Sequence, residues 1–124
     1  MPALKTPHYI DVATSLEKAV CDMSRDAGLG LSVSSDRFLM PRQKRLEFSF
    51  LRLGDKKWNL RVGVEKIGGE TVSSAFHLQI WMPGGGFKEE TVYLSNDEQL
   101  ADLGLRYAEV ITSAAAEPEP ASVG

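Results

Sequence analysis

The sequence predicts a single α+β domain in which an antiparallel sheet lies between an N-terminal helix and a C-terminal helix. Three observations predict it. Apolar residues recur at helical spacing near both ends of the chain, and they alternate with polar residues between residues 44 and 95. Turns rich in glycine divide this middle region into four runs of strand length. We therefore expect a four-stranded antiparallel β-meander with both helices on one face.

The first helix is predicted from about Pro7 to Ala27. Thr6 is a suitable N-cap, and a proline in the first helical turn removes no hydrogen bond. Gly28 or Gly30 supplies the positive φ that commonly ends a helix. The apolar stripe of this helix comprises Tyr9, Ala13, Leu16, Val20, Met23 and Ala27.

The segment after this helix has weaker patterns. LGLSVSS, residues 29–35, is typical of either a short strand or an extended crossing segment. SSDRFLMPRQ, residues 34–43, is predicted to be a loop, because Pro41 biases Met40 away from helical geometry.

The first clear strand is RLEFSFLRL, which places Leu46, Phe48 and Phe50 on one face. Leu51 and Leu53 then fall on the opposite face. A β-bulge near Phe50 and Leu51 would restore a single apolar face. Alternatively, the sheet is covered on both faces at this point.

Two further strands have a clear alternation. In KWNLRVGVEKI the inward residues are Trp58, Leu60, Val62 and Val64, and the outward ones are Asn59, Arg61, Gly63 and Glu65. In TVSSAFHLQIWM the inward residues are Val72, Phe76, Leu78, Ile80 and Met82, and the outward ones are Ala75, His77, Gln79 and Trp81. A last strand, FKEETVYLS, follows the PGGG turn.

The second helix is predicted to begin at a capping box formed by Ser95 and Glu98. Its buried stripe comprises Leu100, Leu103, Tyr107, either Val110 or Ile111, and Ala114. The last residues include two prolines and have little apolar surface to bury. We therefore expect one domain over residues 1–115 and a disordered tail over residues 116–124.

The composition favours a cytoplasmic protein. A chain of 124 residues with 43% hydrophobic content can form one core without metal or disulfide. Cys21 is the single cysteine and cannot form an internal disulfide, which fits a reducing compartment. The sequence contains neither a signal-peptide pattern nor an apolar run long enough to span a bilayer, so we expect no membrane partner.

The residues with catalytic potential form no recognisable site. Cys21 with His8 or His77 is the only nucleophile and base pair available, and Cys21 lies beside the apolar stripe of its helix. Asp22 and Asp26 are better explained as a solvated helix face than as cation ligands. The glycine runs match no phosphate-binding motif. We expect no enzymatic activity, no metal and no cofactor.

Positive charge is concentrated in one region of this acidic chain. The formal net charge is -3, yet residues 36–66 contain nine basic and four acidic residues, which gives 9 - 4 = +5. Arg45, Lys57 and Arg61 alternate with inward residues and should project from the open face of the sheet, next to Trp81. Lys56 belongs to the adjoining turn. Cations around an exposed tryptophan are typical of single-stranded nucleic-acid binding.

Two alternatives explain the same residues without nucleic acid. Lysine and arginine protect strand edges, and Trp81 could pack under a loop or across a dimer interface. The chain could also be a small protein-binding module, such as an inhibitor, an adaptor or an immunity protein. Such a module would use a charged and aromatic sheet face against one protein partner.

Three segments resemble the transcriptional positive cofactor four family of single-stranded DNA-binding proteins. They are LRLGDKKWNLRVGV, HLQIWM and FKEETVYLSNDEQLADL, within Leu51 to Ile111. The resemblance implies a strand meander followed by a helix, and a homodimer packed through that C-terminal helix. At the matching positions of this chain, the resemblance implies DNA contacts by six residues: Lys56, Lys57, Trp58, Arg61, Trp81 and Lys88. This chain departs from the family in its PGGGFKEE turn, which has two acids in place of cations, and in its N-terminal helix.

Overall fold

The fold is α+β, with an antiparallel sheet between two helices in the chain, as the sequence predicts. The computed structural model describes residues 7–69 and 73–116. In chain order the elements are helix α1 (Tyr9–Ala27), strands β1 (Leu31–Val33) and β2 (Phe38–Met40), a 3-10 turn (Pro41–Gln43), strands β3 (Arg45–Arg52), β4 (Asp55–Gly69), β5 (Ser74–Trp81) and β6 (Phe87–Leu94), and helix α2 (Asp97–Ala116). The sheet therefore has six strands rather than the predicted four.

The two additional strands are short and share one neighbour. β1 pairs with the end of β3, where Leu31 lies opposite Arg52, and β2 pairs with its start, where Met40 lies opposite Arg45. The prediction of a loop for residues 34–43 is therefore wrong over β2. Pro41 begins the 3-10 turn and keeps Met40 extended, so it ends the strand instead of preventing it.

The rest of the sheet is the predicted meander. The strand order is β1-β3-β4-β5-β6, and every pairing is antiparallel. The predicted inward residues of β3, β4 and β5 are buried together with most of the apolar stripes of both helices, but Ala27, predicted in the stripe of α1, is exposed in the last turn of that helix. Both helices therefore cover the same face of the sheet, and the side chains of the opposite face remain open. Met82 is only partly buried, and Val72 lies outside the described residues.

The irregularity in β3 differs from both of the predicted alternatives. The register shifts between Leu51, which lies opposite Asn59, and Arg52, which lies opposite Asp55. The additional residues are therefore in β4, and β3 keeps its alternation. Leu51 stays on the open face, and Leu53 in the following turn is 86% exposed.

Helix α1 begins two residues later than predicted. His8 is its N-cap: the backbone N-H of His8 donates to Asp11 at 2.9 Å, and Nδ1 of His8 accepts from the N-H of Ile10 at 3.3 Å. Thr6, the predicted cap, lies outside the described residues. The helix ends as predicted at Gly28, whose φ is +69°.

Helix α2 begins with the predicted kind of cap, shifted by one residue. Oδ1 of Asn96 accepts from the N-H of Gln99 at 2.9 Å, and Oε1 of Gln99 accepts from the N-H of Ser95 at 2.7 Å. The Ser95 and Glu98 capping box is therefore wrong, although a polar cap and a side chain three residues later perform the same task. The helix includes Ala116, which was predicted to belong to the tail, and residues 117–124 lie outside the described part.

Candidate binding surface on the open sheet face

A row of three aromatic side chains and one guanidinium crosses the open face. Arg61 lies opposite Trp81 on the next strand, and Trp81 lies opposite Phe87 on β6. Cζ of Arg61 is 5.6 Å from the ring centre of Phe38 and 5.8 Å from that of Trp81. The rings of Trp81 and Phe87 are 5.5 Å apart between centres. We call Phe38, Arg61, Trp81 and Phe87 the aromatic row.

Much of this apolar surface is accessible. Phe38 is 57% exposed and Phe87 is 48% exposed, at the two ends of the row. Tyr93, which lies opposite Ala75 on the same face, is 69% exposed. Large exposed apolar side chains that share one face of a small domain commonly mark an interaction surface.

Arg45 lies on the predicted face but is not free for an anionic ligand. Its side chain is only 12% exposed. Nε donates to Glu47 at 2.8 Å, and Nη2 donates to Oε1 of Gln79 at 2.7 Å across β4. Gly63 makes this crossing possible, because a Cβ at that position would lie 2.5 Å from Nη2 of Arg45.

Glu47 joins the two arginines of the open face. It accepts from Arg45 and also forms an ion pair with Arg61. Partial burial acts to raise the pKa of the Glu47 carboxyl, but the hydrogen bonds and charges of the two arginines outweigh it. The pKa of Glu47 therefore lies below its ordinary value of 4.5. Both guanidinium groups thus have a carboxylate partner within the protein.

The charges of the open face balance. On the described parts of β3 to β6 this face presents three cations and three carboxylates. Glu65 lies 3.8 Å from Nη1 of Arg45, and Oε2 of Glu89 lies 3.0 Å from Nε2 of His77. The carboxylates are Glu47, Glu65 and Glu89, and the cations are Arg45, Arg61 and Lys57, the last assigned from its alternation with buried Trp58. The described parts of β3 to β6 therefore show no excess of positive charge on this face.

The structure brings only part of the predicted nucleic-acid site together. Lys57, Arg61 and Trp81 lie on the open face together with Arg45. Trp58 is 7% exposed on the helix-covered face, and the guanidinium of Arg52 lies 5.5 Å from its ring centre. Because it is buried, Trp58 is unavailable to a ligand on the open face. This burial agrees with the apolar–polar alternation of β4, which predicts that Trp58 points inward.

Lys88 also lies away from the open face. It is opposite Ile80, an inward residue, so its side chain projects on the side of the sheet that the helices cover. The side chain of Lys56 lies outside the described part of the structure. The set implied by the resemblance is therefore divided between the two faces of the sheet.

Sequence reasoning did not identify three residues of the surface. Phe38 lies in a segment predicted to be a loop, so no face was assigned to it. Phe87 could have been found, because a hairpin around PGGG places it opposite Trp81. Glu47 was counted only in the net charge of its segment, and its pairing with Arg61 depends on the register between β3 and β4.

The residues considered for catalysis or cation binding, Cys21 and Asp22, interact with neighbouring residues of α1. Cys21 is partly buried on α1, and burial, followed by the charges of Glu17 and Asp22, raises the pKa of its thiol. Asp22 pairs with Lys18 and Arg25, both at 2.6 Å. Within residues 7–69 and 73–116, no three His, Cys, Asp or Glu side chains come together as metal ligands.

Comparisons of the chain with protein families, with curated proteins and with solved structures found no match. The resemblance to the positive cofactor four family therefore stays a prediction. Of the helices in the described ranges, neither combines the length and apolar character that crossing a bilayer requires.

Proposed function

We propose that this chain is a non-catalytic binding module that contacts a protein partner through the open face of its sheet. The aromatic row carries the proposal. It places Phe38, Arg61, Trp81 and Phe87 on one accessible surface, and the helices on the other face support the sheet from behind. Tryptophan and arginine are the residue types most enriched among the energetically dominant residues of protein interfaces.

The charge balance of the open face favours protein over nucleic acid. A nucleic-acid strand gains affinity when cations replace the counterions of its phosphates. Here the guanidinium groups of Arg45 and Arg61 already have Glu47 as a partner, and Glu65 and Glu89 would face an approaching phosphate. Protein surfaces carry both signs of charge and can complement such a face. An inhibitor, adaptor or immunity-type module fits this description.

Affinity capture with matched variants tests the proposal. Wild type, Trp81→Ala and Leu105→Ala are immobilised, and retained proteins are quantified from the source cells. Leu105 is 52% exposed on α2, away from the open face, and so controls for loss of exposed apolar surface. We expect a partner that wild type and the control retain and that Trp81→Ala binds about 30-fold more weakly, equivalent to about 2 kcal/mol. Equal retention by all three would contradict the proposal.

Single-stranded nucleic acid is the second candidate, because Trp81 and Phe87 offer ring surfaces for stacking and Lys57 lies exposed on the same face. Titration of labelled oligo(dT) at several salt concentrations decides this case. If this function holds, Arg61→Ala should lower the salt slope by about 0.7, and Trp81→Ala should cost about 1 to 3 kcal/mol with little change in slope. A folded sample that fails to bind at low salt would exclude this candidate.

The homodimer through α2 also stays a proposal. In this chain the buried stripe of α2 packs against α1 and the sheet, including Leu103, Tyr107 and Ile111. A dimer would have to use the exposed side of the helix, where Leu105 lies. Sedimentation of wild type and Leu105→Asp measures whether that side associates.

A further inference from the structure

A groove runs between the edge strand β6 and helix α2, on the side of the sheet opposite the aromatic row. It consists of three adjoining cavities of about 210, 360 and 560 Å³. The central cavity of about 210 Å³ is lined by Ile80, Tyr107 and Val110, with Lys88 and Arg106 also at its walls. We call this feature the strand–helix groove.

The strand that forms one wall of the groove has a free backbone edge. Within the described residues, β6 pairs only with β5. Alternate residues among its eight therefore present N-H and C=O groups that an additional strand could pair with. Peptide-binding domains use this arrangement: backbone pairing with an edge strand provides affinity, and pockets for alternate side chains provide specificity.

The polar groups of the groove define the chemistry of its occupant. Glu90 is already paired within the protein and so is not available to a ligand. Its Oε1 accepts a hydrogen bond from the Tyr107 hydroxyl at 2.5 Å and lies 2.9 Å from Nη2 of Arg106. Lys88 is exposed and forms no ion pair with a carboxylate of the described residues. Glu109 lines the next cavity toward the end of the helix, not the central one. Glu89 also lines the central cavity, but its carboxylate lies 3.0 Å from His77 on the open face, so the cavity combines apolar walls with the positive charge of Lys88, which is unpaired among the described residues.

We propose that the strand–helix groove binds an extended segment of a partner protein as a further strand on β6. Side chains on one face of a strand are two residues apart. The segment therefore carries an apolar side chain that enters the central cavity, and a carboxylate two residues away that pairs with Lys88. This site is separate from the open face and does not depend on the function proposed for it.

A peptide selection tests the site directly. A displayed library of random twelve-residue peptides is selected on wild type, with counter-selection on Val110→Trp, which fills the central cavity. We expect enriched sequences that share an apolar residue and an acidic residue two positions apart. The most enriched peptide, fluorescently labelled, should bind wild type, should not bind Val110→Trp, and should bind Lys88→Glu about tenfold more weakly, because attraction at a partly exposed contact becomes repulsion.

Lys57→Glu is the matched control, since it reverses an exposed lysine on the opposite face and should leave peptide affinity unchanged. Amide signals of β6 and α2 should shift when the unlabelled peptide is added. No enrichment, or enriched peptides whose shifts map to the aromatic row, would overturn the proposal. It would also be overturned if β6 signals of wild type alone changed with concentration or on removal of residues 117–124, because a second copy or the chain's own end would then occupy the groove.

Discussion

Replacing Glu47 with glutamine should destabilise the fold through the two arginines of the open face. Glu47 accepts a 2.8 Å hydrogen bond from Arg45 and forms an ion pair with Arg61. The side chains of Glu47 and Arg45 are 14% and 12% exposed, whereas that of Arg61 is 45% exposed. Glu47→Gln keeps the shape and one acceptor oxygen, but it removes the negative charge.

The magnitude follows from the exposure of each pair. A charge-assisted hydrogen bond between partly buried groups contributes about 1.5 to 3 kcal/mol. The half-exposed contact with Arg61 contributes about 0.5 kcal/mol, because water screens it. Since glutamine can still accept one hydrogen bond, we expect the substitution to lower the free energy of unfolding by about 2 kcal/mol at pH 7.

The loss should depend on pH in a defined direction. The folded-state pKa of Glu47 lies below the ordinary value of 4.5. Its charge therefore contributes stability above about pH 4.5, and that contribution is lost as pH falls through the lower folded-state pKa. Wild type and Glu47→Gln should accordingly converge in stability in acid, since both then carry an uncharged side chain.

Urea denaturation at pH 7 and at pH 3 measures both effects. Glu109→Gln is the control, because Glu109 is exposed on α2 and forms no ion pair with the described residues. That variant should differ from wild type by less than about 0.5 kcal/mol at either pH. A loss at pH 7 no larger than the control's, or a loss of the same size at pH 3, would refute the stabilising role of the Glu47 charge.

Four further substitutions test packing by the same measurement. Gly104→Ala should destabilise the fold by about 1 kcal/mol, because the new Cβ would lie 3.1 Å from the backbone oxygen of Ser15 on α1, even though alanine has the better helix propensity. An increase in stability would mean that α1 and α2 can move apart at little cost. Trp58→Ala should cost about 3 to 5 kcal/mol and Trp81→Ala less than about 1 kcal/mol, since only the first is buried in the core; equal losses would contradict the assignment of faces. Cys21→Ala should cost under about 1 kcal/mol, and the native thiol should react slowly with a disulfide reagent at pH 7, because its pKa is raised; fast reaction would show that the thiol is not shielded.

The strands and helices that the sequence predicted best are those with long, uninterrupted periodicity. Leu46, Phe48 and Phe50 alternate over a full strand, and their burial follows from that pattern alone. β2 was missed because its three residues, Phe38 to Met40, are too few to show alternation. The backbone hydrogen bonds of β2 are made to β3, and the three residues of β2 alone do not predict that pairing.

The site was predicted in position but not in electrostatic character. Alternation correctly placed Arg45, Arg61 and Trp81 on one face, since it is a property of each strand separately. The neutralisation of the arginines could not be predicted in the same way. The pairing of Arg61 depends on Glu47 of β3 lying beside Arg61 of β4, and the position of the Arg45 side chain depends on the missing side chain of Gly63, over which Arg45 reaches the uncharged amide of Gln79. Those relations arise only when the strands are in register.

The unequal edges of the sheet limit how this molecule can self-associate. One edge is divided into β1 and β2, each of three residues, whereas β6 offers eight residues in a continuous run. Growth of a fibre by edge-to-edge pairing of sheets requires every subunit to pair at two edges. A molecule with a single long edge can accept one strand and then has no comparable edge for the next. Among the described strands, pairing of β6 with a second copy would leave only the three-residue edges of β1 and β2, so such pairing is expected to end at two chains instead of growing into a fibre.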